Sequence, residues 1–211
     1  MLILFGSMML HAQEEPLRTA DIETVEINEK DYEKVSFSYG LKQEMNSRFI
    51  PLPHTEMGLR FRNHHETGRV SSVKLFFHKT EKEHHLTTLE INFYEIDSLT
   101  RMPAQKLNNT SITYTPRNKA RGMVSLDMQK HAISFPKGGI LVAVKWLPTS
   151  NQSKHAGPAL RQTHYKERIT YTRYKDGKWS VHGRQAEKRG LYVNAMMSLE
   201  VYFRKKKGNL M

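Results

Sequence analysis

The stretch FYEIDSLTRMPAQKL, residues 93–107, carries two carboxylates two positions apart, Glu95 and Asp97. In an extended chain, residues i and i+2 share a face. Two carboxyls on one face are the raw material of a glycosidase, where a retaining pair stands about 5 Å apart and an inverting pair about 6.5–9.5 Å. That chemistry also requires one carboxyl to be desolvated, so that its pKa rises, and a cleft in which this happens. Here Asp97-Ser98 opens a polar turn that Arg101 and Met102-Pro103 close. An Asp at the first position of a turn accepts hydrogen bonds from backbone N–H groups two residues on. The sequence therefore predicts a strand end followed by a turn rather than an acid/base pair.

Four histidines have the ring chemistry of zinc ligands: His64-His65 and His84-His85. Adjacent residues on a strand point to opposite faces, so each pair offers one ligand to a site unless it lies in a loop. Both pairs fall in loop-like sequence beside Glu66 or Glu83, and no HExxH spacing occurs. They read as solvated turn residues, with no metal and no cofactor expected. Cysteine is absent, which removes disulfides, thiolate zinc sites and a thiol nucleophile. There is no Gly-x-Ser-x-Gly elbow and no Walker loop. Lys137-Gly138-Gly139 reads as a turn into the strand after it rather than a phosphate cradle. No catalytic residue is assigned.

The candidate ligand surface is aromatic. Tyr165, Tyr171, Tyr174 and Trp179 gather around a C-terminal hairpin, together with Arg161, Arg168 and Arg173. Exposed rings stack on sugar faces, and an arginine grips carboxylate or phosphate through two nitrogens. From this set the expected binding residues are Tyr171, Tyr174, Trp179, Arg161 and Arg173. The same residues also fit ordinary cross-strand Tyr–Thr–Arg pairing on a sheet exterior. Trp146, in the most apolar run, is expected in the core.

The elements that must position these residues are strands. Alternation appears in VSFSY (35–39), MGLRFRN (57–63), RVSSVKLFFHK (69–79), LTTLEINFYEI (86–96) and GMVSLDM (122–128). GGILVAVKWL (138–147) is apolar on both parities, as in a central strand or one covered on both faces. RITYTRY (168–174), KWSVHG (178–183) and MSLEVYFR (197–204) complete the set. Gly-, Pro- and Asp-rich turns separate them, and Asp176-Gly177 signals a type I′ hairpin. Nine or ten strands without a helical period predict an all-β protein, an antiparallel jelly-roll-like β-sandwich over residues 34–204.

Charge and location come from the ends. The chain of 211 residues carries a formal net charge of +12. Residues 14–33 hold eight acidic side chains against Arg18 and Lys30, a net of −6, which leaves +18 on the remainder. A basic body attracts polyanions in general, but no basic helix or basic-aromatic repeat organises the charge for specific nucleic-acid recognition. Residues 1–12 hold an apolar stretch, Leu2–Leu10, of signal-peptide length and too short to span a bilayer, although no Lys or Arg precedes it. An export signal (1–12), an acidic segment (13–33) and a basic tail (205–211) are the expected flanks. The expected partner is a glycan or an anionic envelope polymer, and no transmembrane span is expected.

The order MGLRFRN, GRVSSVKLFF, LEINFYEIDSLTRMPAQKL, ITYT and GMVSLDMQKHAISFPKGGILVAVKWL resembles the β-sandwich domain of secreted Bacteroidetes envelope proteins. These are often labelled carboxypeptidase-like regulatory-domain proteins. The resemblance runs over about residues 45–203. It departs at Arg101, where the family has a turn Gly, at Met123, where Trp is common, and at Lys145, where an acid is common. It implies the sandwich fold, export to the periplasm, the outer-membrane surface or the exterior, and no peptidase chemistry. The function expected from all of this is a non-catalytic exported module of the cell envelope with a binding or structural role. A carbohydrate-binding or adhesive module is the alternative, and a hydrolase a more distant one.

Overall fold

The computed structural model describes residues 30–40, 48–78, 85–117, 121–149, 156–183, 186 and 190–205. The expected leader, most of the acidic segment, His84 and nearly all of the basic tail lie outside them. The chain runs through β1 (Tyr32–Ser38), β2 (Arg48–Phe49), β3 (Thr55–Phe61), β4 (Gly68–Phe77), β5 (His85–Leu86) and β6 (Leu89–Ile96). Then follow β7 (Pro103–Lys106), β8 (Thr113–Tyr114), β9 (Gly122–Asp127), β10 (Ser134–Phe135), β11 (Ile140–Trp146) and β12 (Ala156–Gly157). It finishes with β13 (Leu160–Tyr165), β14 (Thr170–Tyr174), β15 (Ser180–His182), β16 (Tyr192–Ala195) and β17 (Met197–Arg204). Among the described residues the helical content is one 3-10 turn, Gln129–His131, and no helix is long and apolar enough to cross a membrane.

Two antiparallel sheets face each other, as the alternating pattern predicts. One is ordered β1-β17-β4-β13-β16, with β9 and β10 also on β4 and β2 on β13. The other is ordered β15-β14-β3-β11-β6-β7, with β8 also on β6. A small parallel pair, β12 with β5, stands apart. Successive long strands change sheet: β3, β6, β11 and β14 lie in the seven-stranded sheet, and β4, β9, β13 and β16 in the eight-stranded one. That alternation gives the sandwich its jelly-roll-like character.

The core fills the space between the sheets. Met57, Leu59 and Phe61 of β3, Val142 and Val144 of β11, and Ile91 and Phe93 of β6 meet Val73, Leu75 and Phe77 of β4 and Leu199 and Val201 of β17. Trp146 is fully buried among them, and its Nε1 donates to the Pro158 carbonyl at 2.9 Å, so the indole's one polar group is satisfied. The both-parity apolar run is explained by β11, which lies between β3 and β6 and is buried on both faces. Entry into β11 depends on Gly139: at φ +91°, an added Cβ would fall 1.8 Å from the Phe61 carbonyl oxygen. Lys137-Gly138 is indeed the turn, with Gly139 N–H donating to the Pro136 carbonyl at 3.0 Å.

Candidate functional site

The outer face of the seven-stranded sheet is assembled by register. Glu56, Gly58 and Arg60 alternate with the core residues of β3 and point away from them. Glu56 stands opposite Arg173 of β14 and Lys145 of β11; Gly58 opposes Tyr171 and Ala143; Arg60 opposes Leu141. Across β11 follow Glu90, Asn92 and Tyr94 of β6. A second apolar cluster forms here from Tyr94, Leu141, Ala143 and Tyr171, with Ile96, Met102 and Trp179 packed against it. Gly58 makes room for this layer, because a Cβ there would meet Leu141 Cγ and Cδ2 at 2.7 Å.

A buried polar network sits within the layer. Glu56 is 1% exposed. Its Oε1 accepts hydrogen bonds from Asn92 Nδ2 and the Tyr94 hydroxyl, both at 2.9 Å. Its Oε2 accepts from Arg173 Nε at 2.7 Å, and Arg173 Nη2 forms an ion pair with the same oxygen at 2.6 Å. Arg173 Nη2 also donates to the Tyr94 hydroxyl at 2.6 Å. The guanidinium lies 4.6 Å from the Trp179 ring centre and 5.1 Å from that of Tyr94, and the two rings meet edge to face at 5.3 Å. Burial, reinforced by the Glu56 carboxylate, pushes the Tyr94 phenol far above its ordinary range, so it stays protonated. Three hydrogen bonds and the Arg173 ion pair thus occupy both oxygens of this one carboxylate.

The residues expected at the ligand surface divide. Tyr171, Arg173 and Trp179 converge on this face. Tyr171, however, is buried, and its hydroxyl donates to the Arg101 carbonyl at 3.0 Å, while Arg173 is tied to Glu56. Tyr174 stands at the strand end and is half exposed, with the Lys175 ammonium 5.5 Å from its ring. Arg161 does not belong to the group: it lies on β13 in the other sheet, where its Nε donates to the Phe77 carbonyl at 3.1 Å. Tyr165 is also on β13, against Tyr39, and Arg168 covers the Tyr192 ring at 4.8 Å. Nearness in sequence misleads here because the chain changes sheet between β13 and β14.

The hairpin itself forms with a shift. Lys175 and Asp176 take the left-handed conformation (φ 49° and 56°), and Gly177 N–H donates to the Tyr174 carbonyl at 3.0 Å. The type I′ pair is thus Lys175-Asp176, one residue earlier than the Asp-Gly signal implies. Lys145 explains the preference, since its Nζ reaches Asp176 Oδ1 at 2.7 Å and Oδ2 at 3.0 Å and holds the Asp176 carboxyl below its ordinary value.

At the opening motif, Asp97 Oδ1 accepts from Leu99 N, Thr100 N and Thr100 Oγ1 at 3.0, 2.6 and 2.8 Å. These bonds, Thr100's above all, hold the carboxyl below its ordinary value. The pairing of β6 with β7 slips between Tyr94 and Ile96, a bulge that ends the alternation. His65 packs its ring 5.2 Å from that of Phe203, and its backbone N–H donates to Asn63 Oδ1 at 2.8 Å. No group of three or more His, Asp or Glu suited to a metal occurs among the described residues.

Glu56, Asn92 and Arg60 were not singled out by sequence. The alternation of MGLRFRN sets its arginines opposite the core, which suggests water. The missed signal was the neighbouring strand: a run apolar on both parities means that its outer face is covered, and residues beside it on that face are covered too.

No family model matches the chain, and no curated protein matches it. Among solved structures it is similar to a clostridial cysteine protease, Cwp84 after propeptide cleavage, with a TM-score of 0.53 and 14% identity. The match covers 84% of this chain and 41% of that one, so the chain spans less than half the length of that protein. At this identity the likeness concerns the fold.

Proposed function

We propose that this chain is a non-catalytic β-sandwich module, exported to the cell envelope, with a binding or structural role. The observation that carries the reading is the state of its carboxylates. Glu56 is taken up by three hydrogen bonds and an ion pair with Arg173. Asp97, Asp176 and Glu200 are each held below their ordinary values by bonds to Thr100, Lys145 and Lys74. A general acid requires the opposite shift. The similar clostridial protein is a cysteine protease; this chain has no cysteine, so its shared fold comes without a thiol nucleophile. The test is a glycan and polyanion array probed at low and high salt. Binding that survives high salt supports a shaped site, binding that vanishes reduces to net charge, and hydrolysis of any array member overturns the non-catalytic reading. Export is checked separately by N-terminal sequencing of the native protein; a mature chain that begins at Met1 counts against it.

A carbohydrate-binding role is favoured by one specific feature. The half-exposed Tyr174 and the partly exposed Trp179 flank one hairpin with Lys175 and Lys178 beside them. Tyr174→Ala is expected to weaken a glycan hit by about 2–10-fold, the worth of one aromatic contact.

A further inference from the structure

Glu56 and Arg60 stand four residues apart on the same face of β3, and both are more than nine-tenths buried. Their situations are opposite. Glu56 accepts three hydrogen bonds, whereas the Arg60 side chain has no partner among the described residues. Arg60 Nε is sealed from solvent with no acceptor. No ion pair of the described residues includes it. Its backbone N–H is used, donating to the Ile169 carbonyl at 2.8 Å, and Leu141 lies opposite it on β11. The next cation on that face, Arg62, is neutralised by Glu167. The phenol that feels the Arg60 charge, Tyr39, is itself kept protonated by burial and supplies no counter-charge.

A guanidinium nitrogen sealed without an acceptor is costly, and a ligand that reaches the same guanidinium is one way a native fold offsets that cost. We propose that Arg60 is the anion-recognising residue of a binding site on the outer face of the seven-stranded sheet, and that it takes the carboxylate of a sugar acid. A carboxylate fits better than a phosphate. One guanidinium supplies one positive charge and a planar fork, which matches a planar monoanion. Leu141, opposite it on β11, adds no second charge that a dianion would require, and Arg62 is already taken by Glu167. A hydroxylated carrier fits because a second orphan lies on the same face: Asn92 Oδ1, an acceptor without a donor, on the far side of β11. This goes beyond the binding role proposed above by naming a residue and a ligand group, and it does not use the hairpin rings.

The experiment is a titration of the whole protein with D-glucuronate, D-glucose and inorganic phosphate at about 150 mM salt, following the arginine Nε–Hε resonances by NMR. Glucuronate is expected to shift the Arg60 signal saturably, and glucose to leave it in place. Arg60→Met should weaken glucuronate binding about tenfold or more, with Arg60→Lys in between, while Leu99→Ala, a change at an exposed turn residue, leaves it unchanged. Arg60→Met should also raise Tm in the absence of ligand, because removing an unpaired buried charge relieves the fold. The proposal is overturned by a flat glucuronate titration, by equal affinity in Arg60→Met, or by phosphate binding as tightly as glucuronate. If Arg60→Met does not fold, the wild-type resonance and Arg60→Lys decide, and Arg60 is then a structural residue if neither responds to glucuronate.

Discussion

The two faces of β3 are both buried, and they are stabilised by different physics. Met57, Leu59 and Phe61 enter a core of aliphatic and aromatic side chains, where the gain is surface removed from water. Glu56 and Gly58 enter a second buried layer, where the Glu56 charge is matched by that of Arg173. The first face tolerates rearrangement of shape but not of volume. The second tolerates little change in pairing, since each polar atom removed leaves its partner unsatisfied.

The largest effect expected is on the inner face. Trp146→Ala should cost about 3–5 kcal/mol, the range for deleting a fully buried large aromatic, measured by urea denaturation. On the outer face Glu56→Ala should cost about 3 kcal/mol, because it strands Arg173, Tyr94 and Asn92 together. The double change Glu56→Leu with Arg173→Met sharpens the contrast: removing both charges should recover most of that loss. If the double variant is as unstable as the sum of its parts, the outer layer is a packed core like the inner one, and the comparison fails.

Gly58→Ala comes next, at about 1–3 kcal/mol, since the added methyl must displace Leu141 and approaches the Val142 carbonyl oxygen at 2.9 Å. A smaller effect is the pH response of His182. Its ring lies 5.5 Å from Phe49, and burial pushes its pKa below the ordinary 6.5. The unfolded chain therefore binds more protons between the folded value and 6.5. Stability should be full above pH 6.5 and decline as pH falls through the folded pKa, with His131, held low first by burial and then by Lys130, adding in the same direction. His182→Phe should flatten part of that decline when urea midpoints are compared across the window.

Legibility in the sequence followed the same division. Strands that alternate against the core, such as β6, β9 and β17, were plain because one parity is apolar. β13 is not legible: in LRQTHY only Leu160 and Thr163 are buried, three residues apart, so neither parity is apolar. The turn at Asp97 was readable from local chemistry, as its bonds reach only two and three residues away. The Glu56 network was not, because Asn92, Tyr94 and Arg173 lie 36, 38 and 117 residues from it and meet only through register. Arg101 shows the limit of residue preference: it sits at φ 62°, a position that favours glycine, yet its carbonyl holds the Tyr171 hydroxyl.

The change of sheet at successive long strands has a consequence for how the molecule comes into being. Neither sheet is a contiguous piece of chain, so neither can assemble ahead of the other, and few contacts close early through short loops. Folding should be slow, since most contacts join residues far apart in the chain. A chain cut between β13 and β14 would leave both sheets incomplete, and no half of this sandwich is expected to stand alone.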